Sequence, residues 1–420
     1  MKGCRYIREI FSRFNKPLIL LLLVSIISTC IDPFNPNISG QQAILVVDAL
    51  LTNENRSYTV KLSYTTQSQN EDPAMASSAF VTISDGDGNV TRLTETTNGI
   101  YKTDSLAFLG ETGNTYTLYI KTFEGAEYRS EPCTINPVQQ IDSIYFQKDQ
   151  EIPKNSTEIL EGIRIFLDSE NSGGGKYFRW TYDEWWKFSV PYPTRFEYID
   201  QNNIPEVDEI KQICYAYSGA DEILINSSES SQTNRIEKEP IVFVSPDISD
   251  RFLMQYCIDI KQLSLSAAEF QFWEQMKEIN ESGGDIFDKQ PFSIIGNIHN
   301  VNNPSETVLG YFQVSAVEEK RIYISPQEIE NLGLPLYSYD CVAVEVAPND
   351  YPSPTNPADI MTFDKIYEFY TTTGYMFVRP IYDMFGNLAK LVFTKPVCAL
   401  CTARGNLSPP YFWIDMEPSQ

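Results

Sequence analysis

Short runs in which apolar and polar residues alternate fill this chain from about residue 43 onward. Positions 43–51, 58–64, 80–84 and 116–122 are rich in β-branched and aromatic residues, several with a period of two, and so predict strands with one buried face. Asp85-Gly86-Asp87-Gly88-Asn89 is a turn signal ahead of 90–93, and Thr122 to Ala126 is another ahead of 127–130. About seven strands in roughly 95 residues predict an immunoglobulin-like β-sandwich over residues 42–137. Asp85, Asp87 and Asn89 also imitate the start of a calcium loop. Val90 stands where that loop needs glycine and Thr96 where it needs a bidentate acid, so the reading is a turn.

The alternation continues past residue 137, with strands expected at 141–146, 162–167, 177–182, 293–298 and 307–314. One segment changes period. Ser266-Ala267-Ala268-Glu269 has the form of a capping box, and Phe270, Trp273, Met276 and Ile279 follow at every third position before Ser282-Gly283-Gly284 stops the helix. That apolar stripe is expected to pack on a sheet. The expected fold is therefore mainly β, with an N-terminal immunoglobulin-like sandwich and a larger β-rich domain, 138–420, carrying one docked helix near 266–282.

The first thirty residues follow neither pattern. Five bases and one acid precede an apolar stretch from Pro17 to Ile27, too short to span a bilayer comfortably and flanked as a secretory signal is. Ile27-Ser28-Thr29-Cys30 resembles a bacterial lipobox, so residues 1–29 are expected to be a lipoprotein signal peptide and Cys30 the lipidated N-terminus. The competing reading is an uncleaved signal anchor with an incidental cysteine. Each buried methylene of an acyl chain contributes roughly 0.8 kcal/mol, so several chains hold a protein on a membrane where one does not. Residues 30–41, with turn-forming composition from Ile31 onward, read as a tether. Asp32 mildly resembles an acidic surface-export signal. The expectation is an outer-membrane, lipid-anchored protein, at the cell surface rather than on the periplasmic face.

Composition narrows the chemistry. The chain carries a net charge of −24, and removal of the basic leader leaves the remainder near −28, which argues against a nucleic-acid partner. There is one histidine, His299, and no Gly-x-Ser-x-Gly elbow, which excludes a His-Glu-x-x-His zinc site and makes Ser-His-Asp chemistry implausible. No metal, cofactor or catalytic residue is assigned. Of eight cysteines, Cys133, Cys214, Cys257, Cys341, Cys398 and Cys401 lie beyond Cys30 and are candidates for disulfides, with the pairing open. Cys398 and Cys401 have redox-motif spacing without the surrounding thioredoxin-like pattern, so a structural clip or buried thiols is the reading preferred over redox or metal chemistry. Eight aromatic residues crowd positions 180–198. Trp180, Trp185 and Trp186 are candidate ligand-binding residues, although Phe178, Trp180 and Tyr182 share one strand face, as a core requires.

Several of these segments resemble one family. Leu263 to Ser266, Phe272-Trp273, Gly284 to Pro291, Gly296-Asn297-Ile298 and Val308 to Phe312 are similar to the domain of unknown function 4249 (DUF4249) family of Bacteroidota lipoproteins. So are Val81 to Ile83, Gly99 to Tyr101, Gly113 to Tyr116 and Tyr128 to Ser130, and the tail from Cys398 through Gly405 to Trp413 resembles its cysteine-rich ending. Asn406 departs from it, since two glycines often stand at 405 and 406. Members are envelope lipoproteins frequently encoded near TonB-dependent transporters. The resemblance therefore implies a non-enzymatic accessory that captures a ligand for such a transporter or docks onto it. The alternatives are a glycan-active enzyme, which needs two carboxylates in a cleft beside Trp185 or Trp186, and a structural or adhesive surface lipoprotein.

Overall fold

The computed structural model describes residues 43–66, 71–104, 108–154, 156–170, 175–229, 231, 233–282, 294, 296–348 and 361–416. Cys30, the signal peptide and the tether lie outside the described residues. Among those described, no helix is long and apolar enough to cross a membrane.

The alternation read from the sequence becomes a mainly β fold with a two-sheet sandwich at its start. One sheet orders its strands as Leu309–Ser315, Leu45–Thr52, Thr59–Tyr64, Ile100–Lys102 and Thr94–Thr97. The other runs Ile298–Asn300, Glu127–Ser130, Thr115–Lys121, Phe80–Asp85 and Val90–Arg92. Leu45, Val47, Ala49 and Leu51 point inward at every second position, and they meet Val81, Ile83, Leu118 and Ile120 in one buried core. The turn reading of Asp85 holds: its carboxylate accepts the backbone N–H groups of Asp87 and Asn89 at 3.0 and 2.9 Å.

The expected division at residue 137 does not separate two stretches of chain. Strand Leu309–Ser315 returns to pair in parallel with Leu45–Thr52, in register from Val46 and Leu309 to Thr52 and Ser315, and Ile298–Asn300 pairs with Glu127–Ser130. Ile298, Val308, Phe312 and Val314 complete the sandwich core. Buried Asn297 fixes the returning strand: its Oδ1 accepts the Phe312 N–H at 2.9 Å and its Nδ2 donates to the Phe312 carbonyl at 3.0 Å. All these elements belong to one unit, Ile44–Thr65 with Pro73–Gln420.

A second β layer pair follows. Gln140–Glu151, Leu160–Glu170 and Ile236–Val244 form one sheet, and Ile213–Gly219, Tyr177–Ser189, Gln255–Leu265 and Val317–Ile324 form the other. Ile163, Ile165 and Leu167 from the first share a core with Phe178, Trp180, Ile258 and Ile260 from the second. Further on, Val344–Val346, Leu388–Thr394 and Met376–Tyr382 make a small sheet that buries Leu391 and Phe393 with Ile366 and Tyr370 of the helix Phe363–Thr372.

The helix expected near 266–282 is present as Ala267–Ser282, with the Ser266 hydroxyl accepting the Glu269 N–H at 3.2 Å. Its contact face differs from the expected stripe. Phe270 and Trp273 do pack, against Tyr177 and beneath the Arg179 guanidinium, but Phe272 is the most buried aromatic and Ile279 is exposed. A step of three residues rotates about 300°, so three such steps carry a side chain from the packed face to the opposite one. The fold also holds short helices beyond the one expected, Pro326–Asn331, Phe363–Thr372 and Pro396–Ala399. The first carries a full capping box at Ser325 and Glu328.

Glu269 is buried under the helix, and its Oε1 has no partner among the described residues. Burial pushes its carboxyl well above the usual value of 4.5, against the opposing pull of a hydrogen bond from the Ser266 backbone N–H and of the Arg179 charge. A carboxyl whose folded pKa is raised is best accommodated when protonated. It costs nothing below the unfolded pKa and destabilises increasingly as pH rises above it. Glu269→Gln is therefore expected to stabilise the protein at about pH 8 by about 1–3 kcal/mol and to change little near the unfolded pKa of about 4.5, as read by urea unfolding. A variant equally affected at both pH values would contradict this account.

Two disulfides join Cys214 to Cys401 and Cys341 to Cys398, while Cys133 and Cys257 are free thiols. Four of the six candidate cysteines thus pair. Cys133 accepts a hydrogen bond from Asn297 beside the returning strand, and Cys257 is buried on a central strand. Burial pushes both thiols up to about 12. Cys398 and Cys401 do not pair with each other, so their close spacing forms a double clip.

Candidate ligand-binding cleft

Strand Tyr177–Ser189 places Phe178, Trp180, Tyr182, Glu184, Trp186 and Phe188 on one face by the two-residue period of a strand. The first two are core. Toward the C-terminal end the same face opens into a cleft of about 470 Å³, lined by Tyr182, Glu184 and Trp186. The other walls come from the 242–245 strand end, the 249–251 turn, the 218–221 loop, Tyr337 and Arg404.

Two carboxylates sit at its floor, and both are held by arginine. Glu184 is 3% exposed; its Oε1 lies 3.1 Å from Arg251 Nε and accepts the Tyr256 hydroxyl at 2.8 Å. Burial first, then the Glu184 charge, raises the Tyr256 hydroxyl well above its ordinary pKa, so it stays a donor. Arg251 also donates to the Ser249 hydroxyl at 3.0 Å and lies 4.6 Å over the Trp186 ring. Asp250 is 6% exposed. It accepts from Trp186 Nε1 at 3.1 Å, from the Tyr339 hydroxyl at 2.9 Å and from Arg404 Nη2 at 2.8 Å. Arg404 in turn lies 4.5 Å over Phe188. Burial works against the Arg404 charge, but Asp250 and Tyr339 outweigh it and hold the guanidinium above its ordinary pKa.

The two disulfides bring the distant members of this network into place. Arg404 follows Cys401, which is bonded to Cys214, and Tyr339 precedes Cys341, which is bonded to Cys398. Asn406 exchanges both backbone hydrogen bonds with Tyr215, at 2.8 and 2.9 Å. That contact requires glycine at 405, where a Cβ would stand 2.6 Å from the Tyr215 carbonyl oxygen. Asn406 needs no such freedom, because its backbone is paired as in a strand.

The three candidate tryptophans separate. Trp180 is 1% exposed and donates its indole N–H to buried Gln262 at 2.9 Å, so it belongs to the core and reaches no ligand. Trp185 points to the opposite face of the sheet, 5.4 Å from Tyr217 and 4.7 Å from Phe412 of the C-terminal segment. Trp186 lines the cleft. His299 lies on the surface, 3.3 Å from Glu131. Among the described residues, no group of three or more metal-ligating side chains converges.

Glu184, Asp250, Arg251, Tyr339 and Arg404 were not among the expected site residues. One signal was present: Glu184 is a carboxylate in the middle of an otherwise apolar strand face, and a buried acid requires a partner. Nothing local marks which arginine supplies it.

No curated protein matches this chain. The family model described as "Domain of unknown function (DUF4249)" matches residues 31–321, more than half of the chain and most of the cleft, with Tyr337, Tyr339 and Arg404 beyond it. The chain belongs to the DUF4249 family.

Proposed function

We propose that this protein is an accessory lipoprotein, anchored through Cys30 to the outer membrane at the cell surface, which captures a ligand for a TonB-dependent transporter or docks onto one. The observation that carries the binding reading is the state of the cleft's two buried carboxylates. Each accepts hydrogen bonds on both oxygens, Glu184 from Arg251 and Tyr256, and Asp250 from Trp186, Tyr339 and Arg404. A general acid must carry a proton to give away, and a general base needs a free lone pair facing its substrate. Three hydrogen bonds from protein donors, an arginine among them, commit most of the acceptor sites of each carboxylate to the protein itself. This is a preformed frame for binding.

A glycan-active enzyme is the second reading, because Glu184 and Asp250 do flank Trp186 in a cleft, as a two-carboxylate mechanism needs. The donor crowding around both counts against it.

Metabolic labelling with a palmitate analogue and mild detergent extraction test the main reading. The expected result is label on the wild type, none on Cys30→Ser, and a co-purifying outer-membrane transporter. Recovery of the lipoprotein alone, with no transporter and no bound small molecule, would overturn it. Protease treatment of intact cells is expected to degrade the protein, which fixes the face.

A further inference from the structure

We propose that the cleft binds an alkyl-ammonium group, the head of a lysine side chain or of a polyamine, with its charge against Asp221 and the Tyr182 hydroxyl. This rests on the reading of the cleft as a ligand site and adds the class of ligand.

The charge inventory points this way. Four carboxylates line the cleft, Glu151, Glu184, Asp221 and Asp250, against two guanidiniums, Arg251 and Arg404. Both guanidiniums are already matched by the buried acids and lie against aromatic rings, so neither is free to meet an anion. Glu151 is taken by Arg164 at 2.9 Å. Asp221 is left. It is exposed at the lip and makes no ion pair or hydrogen bond among the described residues.

The same cleft holds a second oxygen without a partner among the described residues, on a side chain that is otherwise buried. Tyr182 is 6% exposed and lines the cleft, yet its hydroxyl makes no hydrogen bond among the described residues. Burial raises its pKa most; Glu184, Asp221 and Glu222 raise it further, and Arg251 opposes them. Glu184 and Arg251 offset one another as a pair, which leaves the Asp221 and Glu222 charges, unpaired among the described residues, near this hydroxyl, a local potential that favours a cation. The Ser218 hydroxyl is likewise free among the described residues. The rest of the lining is mixed: Leu160, Val242, Val244 and Ile248 supply hydrocarbon beside Ser245, Ser249 and Tyr337. An ammonium on a methylene stem matches both halves, the head on oxygen and the stem on hydrocarbon. A phosphate or carboxylate would meet Asp221 with like charge, and a neutral sugar would leave that charge uncompensated.

Calorimetric titration of the full mature chain tests the assignment with four probes: spermidine, a blocked tri-lysine peptide, inorganic phosphate and a neutral tetrasaccharide. One or both ammonium probes are expected to bind, more weakly as salt rises, and the better of the two identifies the source. Asp221→Asn and Tyr182→Phe are each expected to weaken that binding about tenfold, the loss of one charge-assisted hydrogen bond. Asp221 is at the surface, so its variant keeps the fold. Failure of both ammonium probes, preferential binding of phosphate or the saccharide, or ammonium binding unchanged in both variants would overturn the proposal. Co-purification of a transporter in the face of any of those results leaves the accessory role standing and removes only the ligand class.

Discussion

Gly310→Ala is expected to destabilise the protein on the order of 4 kcal/mol or more, placing it among the most damaging single substitutions available in the sandwich. Gly310 sits at φ +93° on the strand that pairs in parallel with Leu45–Thr52. A Cβ there would overlap the Val47 carbonyl oxygen and stand 2.8 Å from its carbon. The neighbour is backbone in a buried ladder, so it cannot move aside without breaking the register. The left-handed conformation alone costs an L-residue only about 1–2 kcal/mol. Gly88 isolates that smaller term, since it has φ +87° with nothing within 4 Å of its Cβ position. Chemical unfolding of Gly310→Ala and Gly88→Ala should give losses that differ several-fold, and equal losses would show that the parallel contact is not what demands glycine.

Arg251→Ala is the second large effect, expected to cost about 3–5 kcal/mol because it leaves the Glu184 carboxylate buried and uncompensated. The side chain of Glu184 is 4% exposed, and after the substitution its described polar partner is the Tyr256 hydroxyl. Trp186 loses the guanidinium on its face at the same time. The orphaned charge predicts a rescue: adding Glu184→Gln to Arg251→Ala should recover a substantial part of the loss, because the pair then lacks a buried ion. Thermal unfolding of the three variants measures this. A double variant no more stable than Arg251→Ala would mean that packing, and not charge, is what Arg251 contributes.

The strands were legible because their chemistry is local. Val47, Ala49 and Leu51, or Phe178, Trp180 and Tyr182, announce a buried face by position alone. The return of Leu309–Ser315 to the first strand was not legible, since no local pattern encodes which distant edge an apolar run will meet. The helix announces its place through its cap but not its buried face, because a three-residue repeat rotates away from a fixed contact. At the cleft, the aromatic density of positions 180–198 points equally to Trp186, which lines it, and to Trp180, which lies in the core. The arginines and tyrosines that complete the site, at 251, 256, 339 and 404, come from chain segments 65 to 218 residues from Trp186. Two of these segments are placed by disulfides whose pairing the cysteine spacing does not specify.

That pairing has a consequence for how the molecule is made. In an unfolded chain the thiols that meet most often are those separated by the shortest loop. Here these are Cys398 and Cys401, whose native partners instead lie 57 and 187 residues away. The kinetically favoured first bond is thus the wrong one, and reaching the native state requires it to be attacked and exchanged by an incoming thiolate. Refolding with an oxidant but no thiol–disulfide exchange partner should therefore be limited by a trapped C-terminal isomer lacking Tyr339 and Arg404 at the cleft, and adding an exchange partner should raise the yield.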